Sequence, residues 1–189
     1  MKNRSSIMSQ GGRHRGSFFG VIALLSSLTI TPMAHAQPDH FGVRIGGSAD
    51  SSGERLTAGE LYLRRALPWA RRPSDVWRLT THLEGGVAVL DGRGDTGAAL
   101  SAGPVGVWDR DGSRWRLEIG VKPTVLSEDR FGTLDLGGHF HFTSHLGIRY
   151  QLHPMLAVGY RFQHISNAGI SSPNPGLNLH LLTLDLSTR

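Results

Sequence analysis

From Trp77 onward the chain alternates apolar and polar residues with a period of two. Trp77, Leu79, Leu83, Val87 and Val89 fall on one face, and Arg78, His82 and Glu84 on the other. Trp115, Leu117, Ile119 and Val121 are set in the same way against Arg116, Glu118 and Lys122. Phe140, Phe142, Leu146, Ile148 and Tyr150 alternate with His139, His141, His145, Arg149 and Gln151; Leu156, Val158, Tyr160 and Phe162 alternate with Ala157, Gly159, Arg161 and Gln163. Successive side chains of an extended strand point to opposite faces, so each run reads as a strand with one apolar side. Weaker runs fit strands over 41–49, 55–67, 98–108 and 177–188, between breaks rich in Gly, Pro and Asp. No helical period follows Gln37. Eight strands predict an all-β fold in which an antiparallel sheet closes on itself as a barrel and so loses its edges.

Periodicity alone leaves open which face is inside. A soluble lipid-binding barrel buries its apolar face, whereas an outer-membrane barrel turns it to lipid. The N-terminus bears on this choice. Lys2, Arg4, Arg13 and Arg15 precede an apolar run from Phe18 to Ile30, which ends in Ala34-His35-Ala36. That is the pattern of a secretory signal, and the run is too short to span a bilayer. Residues 1–36 therefore read as a cleaved signal peptide and 37–189 as one outer-membrane β-barrel domain. Connections support the membrane version: those at Asp109–Ser113 and Leu152–Pro154 are tight, while Ser127–Gly138 and Asn167–Gly176 are longer. Trp77, Trp115 and Tyr150 fall at strand ends beside the tight turns, where an aromatic girdle belongs. Against it, the chain ends Leu186-Ser187-Thr188-Arg189, without a terminal aromatic.

The signal also changes the charge. It holds four of the twenty Lys and Arg and none of the fifteen Asp and Glu, leaving sixteen against fifteen, a net of +1. Nucleic acid is thereby not an expected partner, since no basic surface remains beyond the short Arg64-Arg65 and Arg71-Arg72 region. With no cysteine, disulfides, thiolate metal sites and a lipid anchor on Cys are excluded.

The chemistry concentrates in His164-Ile165-Ser166-Asn167-Ala168 and, after a polar gap, Asn174-Pro175-Gly176-Leu177-Asn178. Residues i and i+2 of a strand share a face, so an imidazole stands beside a hydroxyl, as an activated serine requires. The pair shares its parity with Val158, Tyr160 and Phe162, on the lipid-facing side. Asn178 falls beside it if Asn178 and His180 share that face with Leu182, Leu184 and Leu186. A His-x-Ser pair alone is more often structural than catalytic. His139, His141 and His145 read as lumen polarity rather than a metal site, and Gly92, Gly94 and Gly97 as a flexible hairpin loop rather than a phosphate cradle. Arg93, Arg130 and Arg64 or Arg65 are candidates for steering a phosphorylated glycolipid.

These residues resemble the lipid A 3-O-deacylases of Gram-negative outer membranes (PagL type), through His164-x-Ser166-Asn167-Ala168 with Asn174 and Gly176. The resemblance implies an eight-stranded barrel with its active site on the outer surface. It implies Ser166 as nucleophile, His164 as general base, Asn167 and Asn174 as oxyanion donors, Gly176 as a positioning residue, and lipid A of lipopolysaccharide as substrate. The ester cleaved would be that of a 3-hydroxyacyl chain, without cofactor, and a homodimer is compatible. The departure is Asn178, which stands where the family carries a Glu. An amide can accept the imidazole N–H and fix its tautomer, but cannot stabilise the imidazolium by charge. The alternatives are a non-catalytic outer-membrane barrel and a soluble periplasmic lipid-binding barrel.

Overall fold

The computed structural model describes residues 39–48, 55–73 and 76–188, without side chains at 69–73; the signal segment lies outside the described residues. Eight antiparallel strands close into a barrel: β1 (His40–Ser48), β2 (Thr57–Pro73), β3 (Trp77–Gly92), β4 (Asp95–Arg110), β5 (Trp115–Leu126), β8 (Phe140–His153), β9 (Leu156–Ser166) and β10 (Leu177–Ser187). A short hairpin, β6 (Arg130–Phe131) with β7 (Leu134–Asp135), sits in the connection between β5 and β8. Closure comes from β1 pairing with β10, from His40 opposite Ser187 to Ser48 opposite Leu179.

The alternation settles which side is which. Ile45, Leu61, Leu63, Val87, Leu100, Leu146 and Leu182 are all more than half exposed on the outer wall, while Arg44, Arg64, Glu84, Lys122 and Arg161 are fully buried in the lumen. A soluble lipid-binding barrel needs the reverse. At the rim carrying the 111–114 and 154–155 turns, Trp115 stacks on Tyr150 at 4.7 Å, with Trp77 and Trp108 also on the outer face.

The lumen is filled in two layers. Toward that aromatic rim lies an ion cluster around Glu84. One carboxylate oxygen accepts from Lys122 at 2.9 Å and Arg161 at 3.0 Å, the other from Arg64 at 2.6 Å and Arg44 at 2.9 Å. Glu118 pairs with Arg161 at 2.6 Å and Arg64 at 3.0 Å, and Arg149 reaches Asp185 at 3.0 Å. Toward the opposite rim the filling is apolar, with Leu90, Leu126, Ile165, Leu177 and Leu179 capped by Phe131, Leu134 and Leu136 of the hairpin segment. The lumen is thus not uniformly polar. Leu177, Leu179 and Leu181 are the inward residues of β10, and Asn178, His180 and Leu182 the outward ones.

Two expectations are corrected. Arg64 is buried in the ion cluster, so it cannot meet a glycolipid at the rim. The Gly92–Gly97 segment is no flexible loop: β3 and β4 join through Arg93 and Gly94 alone, at φ 50° and 88°. Positive φ at both central residues matches the twist of paired strands, and the hairpin stays tight.

Replacing Glu84 with Gln should be strongly destabilising, because four cations would lose their shared counter-charge where no water can replace it. A loss of about 3–5 kcal/mol is expected from breaking a buried pair, read as the urea midpoint of the barrel in detergent. A change under about 0.5 kcal/mol, the size expected of an ordinary surface substitution, would contradict the cluster's role.

Candidate active site

β9 carries His164 and Ser166 on its outer face at the end opposite the aromatic rim. Phe162, His164 and Ser166 point outward and Arg161, Gln163 and Ile165 inward. In register, Asn178 of β10 lies directly opposite His164. Their side chains meet, with His164 Nδ1 2.7 Å from Asn178 Oδ1. A carbonyl oxygen only accepts, so Nδ1 carries the hydrogen and Nε2 presents its lone pair away from Asn178. That is the tautomer a general base needs. Ser166 stands two residues further along the same face, and among the described residues no hydrogen bond joins it to His164. Such bonds commonly tighten only when substrate is bound.

Gly176 explains the ring's position. It is buried at φ 73°, and a Cβ there would lie 2.7 Å from His164 Cε1. Glycine alone both adopts that backbone region without strain and leaves room for the imidazole.

Asn167 holds the connection between β9 and β10. Fully buried, its Nδ2 lies within 3.0–3.3 Å of the carbonyls of Leu136, Gly137, Ser171 and Pro173 and of Ser171 Oγ. Its Oδ1 accepts from Gly169 N–H at 2.9 Å, and its own N–H donates to Asn174 Oδ1 at 3.1 Å. This corrects the expectation for Asn167: its amide ties the loop to the β6–β7 segment and is not left to meet an oxyanion. Asn174 differs. Its Oδ1 is anchored by the Asn167 N–H, while Nδ2 of this exposed residue has no partner among the described residues. Ala168, the residue after Asn167, has φ 54°. A left-handed non-glycine is uncommon and tends to mark a functional turn.

Other sequence candidates fall elsewhere. His141 bonds Gly138 O at 2.6 Å and His145 is buried in the lumen. Among the described residues no three His, Cys, Asp or Glu converge as a metal site. Asp185 faces the lumen, bonded by Tyr62 at 2.6 Å, and so lies on the other side of the wall from His164. The sequence did not reveal that Tyr160 Oη and His180 Nδ1 share a hydrogen bond on the wall beneath the pair, where Phe162 also meets the His180 ring at 5.3 Å. The signal was present, since Tyr160 and Phe162 share the outward parity and His180 is the polar exception among the outward leucines of β10.

The family model for lipid A 3-O-deacylase (PagL) matches residues 57–187. The chain belongs to that family. It is 32% identical to lipid A deacylase PagL of Bordetella bronchiseptica over 87% of this chain and 92% of that protein. With lipid A deacylase PagL of Pseudomonas aeruginosa the identity is 29%, over 85% of this chain and 93% of that one. The crystal structure of the outer membrane enzyme PagL shares the fold with a TM-score of 0.70 at 24% identity, covering 78% of this chain and 99% of that one. Membership in this PagL family makes the chain an ester hydrolase.

Asn167→Ala removes the tie between loop and hairpin segment. Limited proteolysis should then cut within 168–175 at least tenfold faster than in the parent, with the barrel still folded; an unchanged rate would show that the loop is held by other contacts. Gly176→Ala should cut ester hydrolysis about tenfold or more by displacing His164, with no loss of the folded form on heat-modifiability gels.

Proposed function

We propose that this member of the PagL family removes the ester-linked 3-hydroxyacyl chain from the 3-O position of lipid A, in the outer membrane, by serine-histidine catalysis. One observation carries the reading: the His164–Asn178 hydrogen bond fixes a basic Nε2 on the lipid-facing wall, beside Ser166. A substrate whose reacting ester lies where headgroup meets acyl chain can reach that wall sideways from the leaflet, without entering the filled lumen.

His164 Nε2 takes the Ser166 proton as Oγ attacks the ester carbonyl. The tetrahedral oxyanion is held by Asn174 Nδ2, whose other amide atom is already anchored. Collapse breaks the bond to the glucosamine oxygen, which leaves with the proton from His164, and an acyl-Ser166 remains. Water then attacks that ester, giving its proton to His164, and Ser166 is regenerated as a 3-hydroxy fatty acid departs. Every step uses side chains, water and substrate.

Asn178 sets the pace. The imidazolium formed in each half-reaction gains hydrogen bonding from the amide but no charge stabilisation, and charge-assisted bonds are roughly twice as strong as neutral ones. The same neutrality is what favours the second reading, a non-catalytic barrel of the same fold.

Mass spectrometry of lipid A from cells expressing the chain separates the two. Loss of one 3-hydroxyacyl group with the parent and none with Ser166→Ala is expected; unchanged lipid A with both would leave the inert barrel. Asn178→Glu should raise turnover about tenfold, given the stronger charge-assisted bond. A fall in turnover would place the orienting role in another residue.

A further inference from the structure

β8 flanks the site on the side away from Asn178. In register, Ser144 of β8 lies opposite His164, and Phe142 opposite Ser166. The outward positions of β8 from Phe140 to Tyr150 are Phe140, Phe142, Ser144, Leu146, Ile148 and Tyr150, while Thr143 and His145 are buried in the lumen. Ser144 is thus the one hydroxyl of small size among the outward residues of β8, at the level of the reacting pair. Ser144, His164 and Asn178 form a polar row across three strands. Asn178 occupies Nδ1 of the ring, which leaves Nε2, beside Gly176, for the reacting groups. No hydrogen bond within the described residues uses the Ser144 hydroxyl. Ser144 is half-buried, and a hydroxyl facing apolar surroundings gains from a ligand group that can hydrogen-bond it.

Resting on the proposed deacylation, we propose that Ser144 determines specificity by hydrogen-bonding the hydroxyl on the third carbon of the chain being released. Diagonal neighbours on paired strands lie about 7–8 Å apart, with their Cβ atoms somewhat closer, which is the relation of Ser144 to Ser166. The 3-hydroxyl oxygen lies three bonds from the ester carbonyl carbon, roughly 3.5 Å at ordinary bond lengths. With the carbonyl on Ser166 and a hydrogen bond of about 2.8 Å, that oxygen reaches Ser144. The rest of the chain then runs down the wall over Leu146 and Phe162, which face each other in register.

The test uses the mature full-length barrel in detergent micelles with two glucosamine 3-O-esters, one of a 3-hydroxyacyl chain and one of the unsubstituted chain of equal length. The parent should favour the hydroxylated ester. In Ser144→Ala the ratio of the two kcat/KM values should fall about tenfold, the effect of losing one neutral hydrogen bond, and Ser144→Thr should restore much of it. Heat-modifiable mobility confirms that each variant is folded. A parent without preference, or a ratio unchanged in Ser144→Ala whatever the absolute rates, overturns the proposal and leaves the deacylase reading intact. A folded parent that cleaves neither ester, nor lipid A in membranes, overturns both.

Discussion

Glu84 is bonded by Arg44, Arg64, Lys122 and Arg161 at once, and this cluster, with the apolar layer beyond it, occupies the axis of the barrel. Arg44, Arg64, Lys122, Arg149 and Arg161 packed against Glu60, Glu84, Glu118 and Asp185 leave no room for a reacting lipid. The outer wall is the surface that remains, and in a barrel it is reached only by residues of one parity. The position of His164 and Ser166 on that wall follows from Arg161, Gln163 and Ile165 filling the inside. Lumen and site are two sides of the same strand.

On a wall of Val, Leu, Ile and Phe, a polar group stands out and must be held. Asn178 holds the imidazole, Gly176 gives it room, and the Asn167 knot fixes the turn that carries both β9 and β10 into register. The knot in turn depends on the hairpin segment, since its acceptors include the carbonyls of Leu136 and Gly137, whose neighbours Phe131 and Leu134 cap the lumen. Apolar filling at the barrel's end therefore extends, through one buried amide, to the geometry of His164 and Ser166.

Much of this was legible in the residues. The strands over 77–92, 115–126, 140–153 and 156–166 announce themselves because inside and outside differ so sharply in polarity, as Trp77 and Arg78 or Tyr160 and Arg161 show. Parity alone put His164 and Ser166 on one face, and the register of β10 against β9 brings Asn178 to it. The role of Asn167 was not legible, because two of its acceptors, the carbonyls of Leu136 and Gly137, lie 31 and 30 residues away in a segment whose fold no periodicity signals. Nor was the two-residue turn at Arg93-Gly94: three glycines in seven residues read as looseness, while their spacing lets the chain reverse within two. Arg64 looked like rim decoration since sequence cannot show which arginine of a pair points inward.

The claim on which the account rests is that His164 makes Ser166 a nucleophile on the outside of the barrel. A fluorophosphonate that reacts only with activated serines, applied to the folded protein in micelles and mapped by peptide mass spectrometry, tests it directly. The account predicts one adduct, on Ser166, absent in His164→Ala; no adduct, or one on any other serine, would contradict it.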